Sequence, residues 1–597
     1  MQVLIPAAGM GKRLGLETAD KTKAMVEIYG KTLIERCLDA VVEHDVDRII
    51  LVIGYQKDKL KKFIGASYKG VDVVYVENNT FDTTNNIYSV FLARDYLVED
   101  ETILIESDLI FDPKILSMLI ESPFENLALV DKYKTWMDGT VVRLNNDFSI
   151  SHFISRAEFK YDQAHDYYKT VNIYKFSKSF LSDVYVPFLE AYASALGDNE
   201  YYEEVLKVIV NLDKGHIKAL PLGGESWYEI DDAQDLDNAT LIFSEPNQRY
   251  KLLSGRYGGY WRFENLKDFC YLVNPYFPPE SLNNEIKFSL PKLMQSYPSG
   301  DKVQAMLGGK MFGVPDSHIV VGNGAAELID KVTEFLEGSF GLYGPTFEEY
   351  PARFDNIDCR VSKARGFSYG KNEIIKLAQE NDGVILINPD NPSGNFIPYK
   401  DVIEILEYLK PLGKYLVLDE SFLDFAEGGF DSSLLNNGDL KKFPNLVVIK
   451  SIGKSYGVGG LRLGVLASSD TKLVKQVKES IPIWNINSVA EFYLQIIGKY
   501  MAEYKESCEK LIAARVQLLK DLRKIPYLEP YESQANYILC KVIGKDAGQL
   551  ASDLCNKYSI LIKDCSGKAS VDDQYIRVAV RDTRDNESLI AGLKALL

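Results

Sequence analysis

The sequence predicts an α/β protein built as two units. Short β-branched runs alternate with amphipathic segments from the first residues onward, a stretch rich in glycine, proline and aromatics interrupts that alternation after residue 246, and the alternation resumes from about residue 300. The order strand, helix, strand predicts parallel sheets covered by helices, with ligands at the strand C-terminal ends.

Val3-Leu-Ile5 opens the first unit as a buried strand. Residues 33–42 follow as a helix, because Leu33, Ile34, Cys37, Leu38, Val41 and Val42 fall on one stripe. Residues 49–53, 71–75 and 102–105 read as further strands, which makes the first unit a doubly wound sheet. Trp227-Tyr-Glu-Ile-Asp231 and a helix through about Phe243 close it, so the first unit spans 1–245. Residues 246–264, with Gly and aromatics in Ser254-Gly-Arg-Tyr-Gly-Gly-Tyr-Trp261, read either as a spacer or as an arm that packs on a partner subunit. The second unit spans 265–597, with residues 383–387 and 415–418 as buried strands.

Composition narrows the function. At 597 residues the chain exceeds one core and suits two to four domains. No apolar run is long enough for a bilayer, and Met1-Gln-Val-Leu-Ile5 lacks the basic start and cleavage site of a signal peptide, so a cytoplasmic location is expected. The seven cysteines are scattered singly and read as reduced thiols. A formal charge of −17 disfavours nucleic-acid partners, while a local basic pocket can still take small anions.

Chemistry concentrates in both halves. In Ser451-Ile-Gly-Lys-Ser-Tyr-Gly-Val-Gly-Gly-Leu-Arg462, a lysine stands eight residues before an arginine on a glycine-rich stretch after an apolar run. This spacing suits a pyridoxal phosphate (PLP) anchor: Lys454 condenses with an aldehyde, and Ser451 and Arg462 hold a phosphate. Asn391, in Asn388-Pro-Asp-Asn-Pro-Ser-Gly394, sits where a turn aims it at the cofactor's phenolic oxygen, and Asp419 ends a strand as the carboxylate a protonated pyridine nitrogen needs. Gly324, Ala325 and Ala326 join a strand to a helix whose backbone N–H groups can take a phosphate. Singly, each also reads as a turn residue, a cap or a solvated charge; their order in the chain favours the cofactor.

In the first half, Gly9 and Gly11 let the backbone approach triphosphate oxygens, and Lys12, Arg13 and Lys23 neutralise them. Asp108 ends a strand, and Glu229 and Asp231 stand at strand spacing, so these three acids form an oxygen-rich set for Mg²⁺. Trp136, Asp138, Tyr88 and Tyr228 can surround a cationic nitrogen.

The ordered motifs of the second half resemble the fold-type I PLP aminotransferases, with large and small domains, and most closely the histidinol-phosphate aminotransferase branch. The resemblance implies that Phe347 stacks on the cofactor ring, that Arg577 binds the amino donor's carboxylate, and that Tyr297 reaches the phosphate across a homodimer. Two departures stand out: Phe422 where the family often carries tyrosine, and Gly453 where it carries a second Ser or Thr. The first half, through Ala7-Ala-Gly-Met-Gly-Lys-Arg13 with Lys23, Asn85-Asn-Ile-Tyr-Ser89 and Trp227-Tyr-Glu-Ile-Asp-Asp232, resembles the Rossmann-like sugar-nucleotidyltransferases and within them the bacterial choline-phosphate cytidylyltransferases. That implies CTP as partner, with Ala8, Gly9, Thr84, Asn85 and Ser107 on the cytidine, Mg²⁺ on the α-phosphate, and Lys23 and Arg13 in catalysis. Thr22 stands where that family usually has proline.

Together the halves are similar to the fused cytidylyltransferase and aminotransferase of bacterial phosphonate biosynthesis. This implies transamination of phosphonoacetaldehyde to 2-aminoethylphosphonate by an amino-acid donor, then transfer of CMP to it. A cytidylyltransferase for phosphocholine or another aminoalkyl phosphate, fused to a PLP-dependent phospho-amino-acid decarboxylase or aminotransferase, is the alternative. A third class, a regulator using the aminotransferase fold as a sensor, is disfavoured by the intact Lys454, the acidic charge and the absence of a recognisable DNA-binding motif.

Overall fold

The computed structural model describes residues 1–155, 157–263, 265–567 and 574–597. The chain divides into two compact units, Met1–Arg249 and Tyr250–Leu597.

The first unit begins with β1 (Gln2–Ala7), whose Val3, Leu4 and Ile5 are fully buried because helices cover both faces of the sheet. Helix α1 (Leu33–Val41) starts where Thr32 and Glu35 form a reciprocal capping box, and it buries the stripe expected from its periodicity. β2 (Arg48–Ile53) and β3 (Val71–Glu77) run parallel to β1 on one side, and β4 (Thr102–Ile105) on the other. Helix α2 (Asn86–Leu92) is capped by the Asn85 side chain.

Beyond β4 the sheet turns antiparallel, a part that simple strand–helix alternation did not foresee. The short β5 (Leu109–Phe111), then β6 (Val141–Leu144), β7 (Ile150–Ile154) and β8 (Tyr167–Phe176), lead to helix α3 (Glu203–Asn211), β9 (Trp227–Glu229) and helix α4 (Ala233–Ile242). The spine of this ten-stranded sheet runs β7-β6-β8-β4-β1-β2-β3, with Ser67–Tyr68 on the edge. Where β8 pairs with the strand Leu127–Lys132, the register slips between Thr170 and Tyr174, and Asn172 takes a left-handed φ of 60°. Such a bulge turns a side chain out of the strand alternation, which bears on the site below.

The second unit holds a seven-stranded sheet of β10 (Ile319–Asn323), β11 (Phe340–Gly344), β12 (Ile357–Val361), β13 (Gly383–Ile387), β14 (Tyr415–Asp419), β15 (Leu446–Ser451) and β16 (Leu463–Ala467). Its order is β10-β16-β15-β14-β13-β11-β12, and only β16 runs against its neighbours. Helix α5 (Ala325–Thr333) follows β10. A smaller four-stranded antiparallel sheet, β17 (Leu528–Pro530), β18 (Tyr537–Val542), β19 (Lys563–Asp564) and β20 (Tyr575–Ala579), follows the 22-residue helix α6 (Met501–Leu522). Together the two sheets make the large and small domains of the expected architecture.

The segment expected as linker or arm contains the helix Pro246–Ser254, and Tyr250 within it hydrogen-bonds main-chain atoms of Ile562 and Asp564. The last residue of that segment, 264, lies outside the described residues. Among the described residues no helix is long and apolar enough to cross a membrane.

Candidate active sites

In the first unit, the turns after β1, β3 and β4 converge on a cleft of about 850 Å³. Ala8, Gly9, Gly11, Arg13, Lys23, Thr84, Asn85, Ser107, Asp108, Asp138, Glu229 and Asp231 all line it, so the structure brings most of the expected site residues together. A Cβ at Gly9 would meet nothing within 4 Å, so the space above this glycine is free for a ligand. Gly11 has a φ of 60°, and its backbone packs against the Lys23 side chain.

Lys23 is the hub of the cleft's charge. Its Nζ lies 2.5 Å from Asp108 Oδ2 and 2.6 Å from Asp231 Oδ1, and Arg13 pairs with the same Asp231 oxygen at 2.9 Å. Burial alone would lower the Lys23 pKa, but the two carboxylates outweigh it and hold the ammonium above its ordinary value.

A further acid joins the expected metal set. Oxygens of Glu106, Asp108 and Glu229 lie within 4.8 Å of one another, while Asp231, which like Asp108 pairs with Lys23, also pairs with Arg13. The cause is local: β9 ends at Glu229, so the two-residue alternation that would have aligned Asp231 with it stops there. The backbone N–H of Asp231 instead donates to Asp235 at the start of α4. Glu106, absent from the expected set, stands two residues before Asp108. The bulged Asn172 donates to its Oε2 at 3.3 Å, and Asn86 donates to its Oε1 at 3.2 Å. The buried Asp108 Oδ1 has no hydrogen-bond partner among the described residues, as a metal ligand would require. This oxygen-only donor set fits Mg²⁺. Burial, with the neighbouring acids, pushes the Glu106 carboxyl well above its ordinary value and raises Glu229 too.

The aromatic cage expected for a cationic acceptor does not form at the cleft. Trp136 stacks on Tyr228 with ring centres 4.5 Å apart and planes 2° apart, and Tyr228 is buried. Tyr88 stacks on Phe91. Of the four expected residues only Asp138 lines the cleft. The aromatics lie where core packing claims them, Trp136 against two hydrophobic clusters.

In the second unit, Asn391, Asp419 and Ser451 all follow or end parallel strands on the side where such sheets bind ligands. The Lys454 amine lies 5.0 Å from the Phe347 ring centre and 4.4 Å from that of Phe422. Burial lowers its pKa, Asp419 pulls it back up, and Arg577 and Arg462 push it down, so these charges surround one amine. Asp419 is fixed from two sides: the Tyr350 hydroxyl donates to Oδ2 at 2.9 Å, and the Ser421 N–H to Oδ1 at 2.8 Å. Tyr350, fully buried, was not apparent in the sequence because its partner lies 69 residues away.

Gly324, with a φ of 81°, begins α5 followed by Ala325 and Ala326, and a Cβ on it would meet the Arg462 guanidinium at 2.8 Å. The arginine therefore lies against the helix N-terminus, and the two form one anion-binding corner. Arg577 donates to Asn391 Oδ1 at 2.6 Å and to the Cys270 carbonyl at 2.7 Å. A Cβ at Gly453 would come within 3.1 Å of Gly459 Cα, so main-chain packing stands where the second hydroxyl would be. An amine whose pKa burial lowers, a fixed carboxylate and a glycine-cleared corner beside Arg462 fit PLP. Tyr297 lies on the surface, 80% exposed, its ring tilted 30° beside that of Trp484 with centres 4.6 Å apart, and the single chain does not bring it to this site.

Fold and sites thus define a two-unit enzyme that pairs a nucleotidyltransferase with an aminotransferase-type domain. A model of the MobA-like NTP transferase domain matches residues 3–134, and one of the aminotransferases of class I and II matches residues 306–593. The chain is 28% identical to the CMP-5'-(3-aminopropyl)phosphonate synthase of Streptomyces rubellomurinus over 100% of its own length and 95% of that protein. It is 28% identical to the L-serine phosphate decarboxylase Cj1436c of Campylobacter jejuni, covering 55% of this chain and 88% of that protein. It is 30% identical to the histidinol-phosphate aminotransferase of Clostridium novyi, covering 53% of this chain and 87% of that protein. Through its second unit the chain belongs to the class I and II aminotransferase family.

Proposed function

We propose that the chain makes an aminoalkylphosphonate and then activates it as a CMP ester. The second unit transaminates phosphonoacetaldehyde to 2-aminoethylphosphonate, and the first transfers CMP to it from CTP. The observation that carries this reading is the presence in one chain of a Lys454 amine whose pKa burial lowers and of a carboxylate trio beside Lys23. The Lys454 site yields a primary amine, and the Lys23 site handles phosphate or phosphonate oxygens.

In the second unit PLP, when bound, supplies an electron sink for carbanion chemistry. Lys454 would hold it, with Ser451, Arg462 and Gly324 to Ala326 at its phosphate, Asn391 at its phenolic oxygen and Asp419 at its ring nitrogen. Burial keeps a larger share of the Lys454 amine unprotonated, so Nζ would be the atom that holds the cofactor and the group able to accept and return a proton beside it. Arg577 orients the amino donor by its carboxylate. A second copy of the chain would bring Tyr297 to the phosphate, which makes a homodimer part of the proposal.

In the first unit Glu106, Asp108 and Glu229 would hold Mg²⁺, whose charge offsets that of the triphosphate. Ala8, Gly9, Thr84, Asn85 and Ser107 position the nucleotide. A phosphonate oxygen forms a bond to the α-phosphorus of CTP as the bond from that phosphorus to the bridging oxygen breaks. Pyrophosphate leaves with the electron pair, and Lys23 and Arg13 neutralise the charge that develops.

The test is pyrophosphate release by the purified full chain with CTP and Mg²⁺, offered 2-aminoethylphosphonate, 3-aminopropylphosphonate or phosphocholine. The two-carbon phosphonate should react fastest. Preference for phosphocholine would overturn the phosphonate reading, and preference for the three-carbon homologue would move the substrate towards that named for the Streptomyces relative. Similarity to an L-serine phosphate decarboxylase supports a second reading of the PLP unit, in which carbon dioxide appears without an amino donor.

A further inference from the structure

We propose that Glu203 receives the primary ammonium group of the acceptor and so selects aminated phosphonates in the first unit. This rests on the cytidylyl-transfer reading above and names the residue that reads the far end of its acceptor.

The cleft has two walls. One is formed by the turns after β1 and β3, with the glycines and Asn85 assigned to the nucleotide. The other lies across β4 and Asp108, where β6, β7, β8 and α3 contribute Thr140, Phe153, Asn172 and Glu203. With CTP on the first wall and the metal carboxylates between, the second is left for the acceptor.

Glu203 is the first residue of α3, lines the cleft and is 5% exposed. Its Oε1 accepts from the Tyr174 hydroxyl at 3.5 Å, and its own backbone N–H and the Thr140 hydroxyl also act on the carboxyl, but the buried Oε2 has no hydrogen-bond partner among the described residues. A buried carboxylate oxygen without a donor is costly, and a ligand ammonium is the donor that would satisfy it. The groups around it leave that role open. Lys169, a buried cation whose charge acts on Glu203, is committed to Glu229 at 3.2 Å and to the Thr170 carbonyl at 2.7 Å, while Glu106 and Glu229 add negative charge. Tyr174, Tyr185 and Tyr202 face it with neutral hydroxyls. Burial raises the Glu203 carboxyl to about 7, and an incoming ammonium would draw it back to the charged form.

A primary ammonium, which donates hydrogen bonds, matches this oxygen, whereas a quaternary ammonium has no proton to give it. The expected aromatic cage, which would suit a quaternary ammonium, is absent from the cleft, and a buried acid stands there instead.

The experiment compares kcat/KM for 2-aminoethylphosphonate with that for ethylphosphonate, the same skeleton without nitrogen, by pyrophosphate release from CTP. The full-length protein should favour the aminated acceptor by about 100-fold, and Glu203→Gln should cut that ratio about 30-fold, the loss of a charged hydrogen bond. Should thermal unfolding show that Glu203→Gln does not fold, Glu203→Asp, which withdraws the same charge by one methylene, should cut the ratio by about tenfold. A ratio kept within threefold in a folded variant overturns the assignment to Glu203, as does a wild-type preference for phosphocholine. Absence of pyrophosphate with every acceptor in the wild type overturns the cytidylyl-transfer reading itself, and this assignment with it.

Discussion

Arg577 and Asn391 lie 186 residues apart in the sequence, yet the guanidinium donates to the Asn391 amide oxygen at 2.6 Å. The residue assigned to the donor's carboxylate thus also holds the one assigned to the cofactor's phenolic oxygen. Arg577→Gln should raise the KM for the amino donor by about 10- to 100-fold through lost charged hydrogen bonds, and shift the bound cofactor's absorbance because Asn391 is released. Steady-state kinetics and a visible spectrum check both. An unshifted spectrum would mean that the contact does not persist in the loaded enzyme.

The two chemistries should be separable. Lys454→Ala should reduce amine transfer at least about 1,000-fold and abolish the lysine-dependent cofactor absorbance, with pyrophosphate release from CTP preserved. Asp108→Ala should do the reverse. Parallel assays of both activities on each variant decide this, and loss of both in either variant would show that the sites depend on one another.

Chelation of Mg²⁺ should stop pyrophosphate release and spare amine transfer. Glu106→Gln should raise the Mg²⁺ concentration for half-maximal rate by about 10- to 100-fold, whereas Asp231→Asn, acting on Lys23 and Arg13, should change it by less than about threefold and show itself in the KM for CTP. Mg²⁺ titrations of the two variants distinguish a metal ligand from a partner of the basic residues.

A pH effect on stability is expected from Glu420. Burial pushes its carboxyl from the ordinary 4.5 up to about 7, although Ser433 and the Leu434 N–H both donate to it. The folded state therefore holds this proton more tightly than the unfolded chain. The associated stabilisation is complete below about pH 4.5 and is lost as pH rises to about 7, a change of about 3 kcal/mol. Urea unfolding of wild type and Glu420→Gln across that window should show this slope only in the wild type.

The alternation of apolar runs was enough to place β1, α1 and β2, because a helix stripe or a buried strand reports its own period. Lys454, Asp419 and Arg462 were legible for a different reason: chemistry that needs an amine, an acid and a guanidinium in chain order leaves them at strand ends. The antiparallel strands β6 to β8 were not, since their pairing is set by tertiary contact. Glu106 carried a usable signal, its two-residue spacing from Asp108; Asp231 has the same spacing from Glu229 but lies two residues beyond the end of β9, where it pairs with Lys23 and Arg13. Trp136 and Tyr228 show the limit of residue type alone: stacked rings in a core and rings around a cation are spelled alike.

Gly453 has a consequence for cofactor supply. A Cβ at this position would sit 3.1 Å from Gly459 Cα, so a side chain carrying the second hydroxyl requires the main chain at Gly459 to give by a few tenths of an ångström. On the PLP reading proposed above, the cofactor's phosphate would have one hydrogen-bond donor fewer than in a chain with that hydroxyl, so half-occupancy should need a higher PLP concentration.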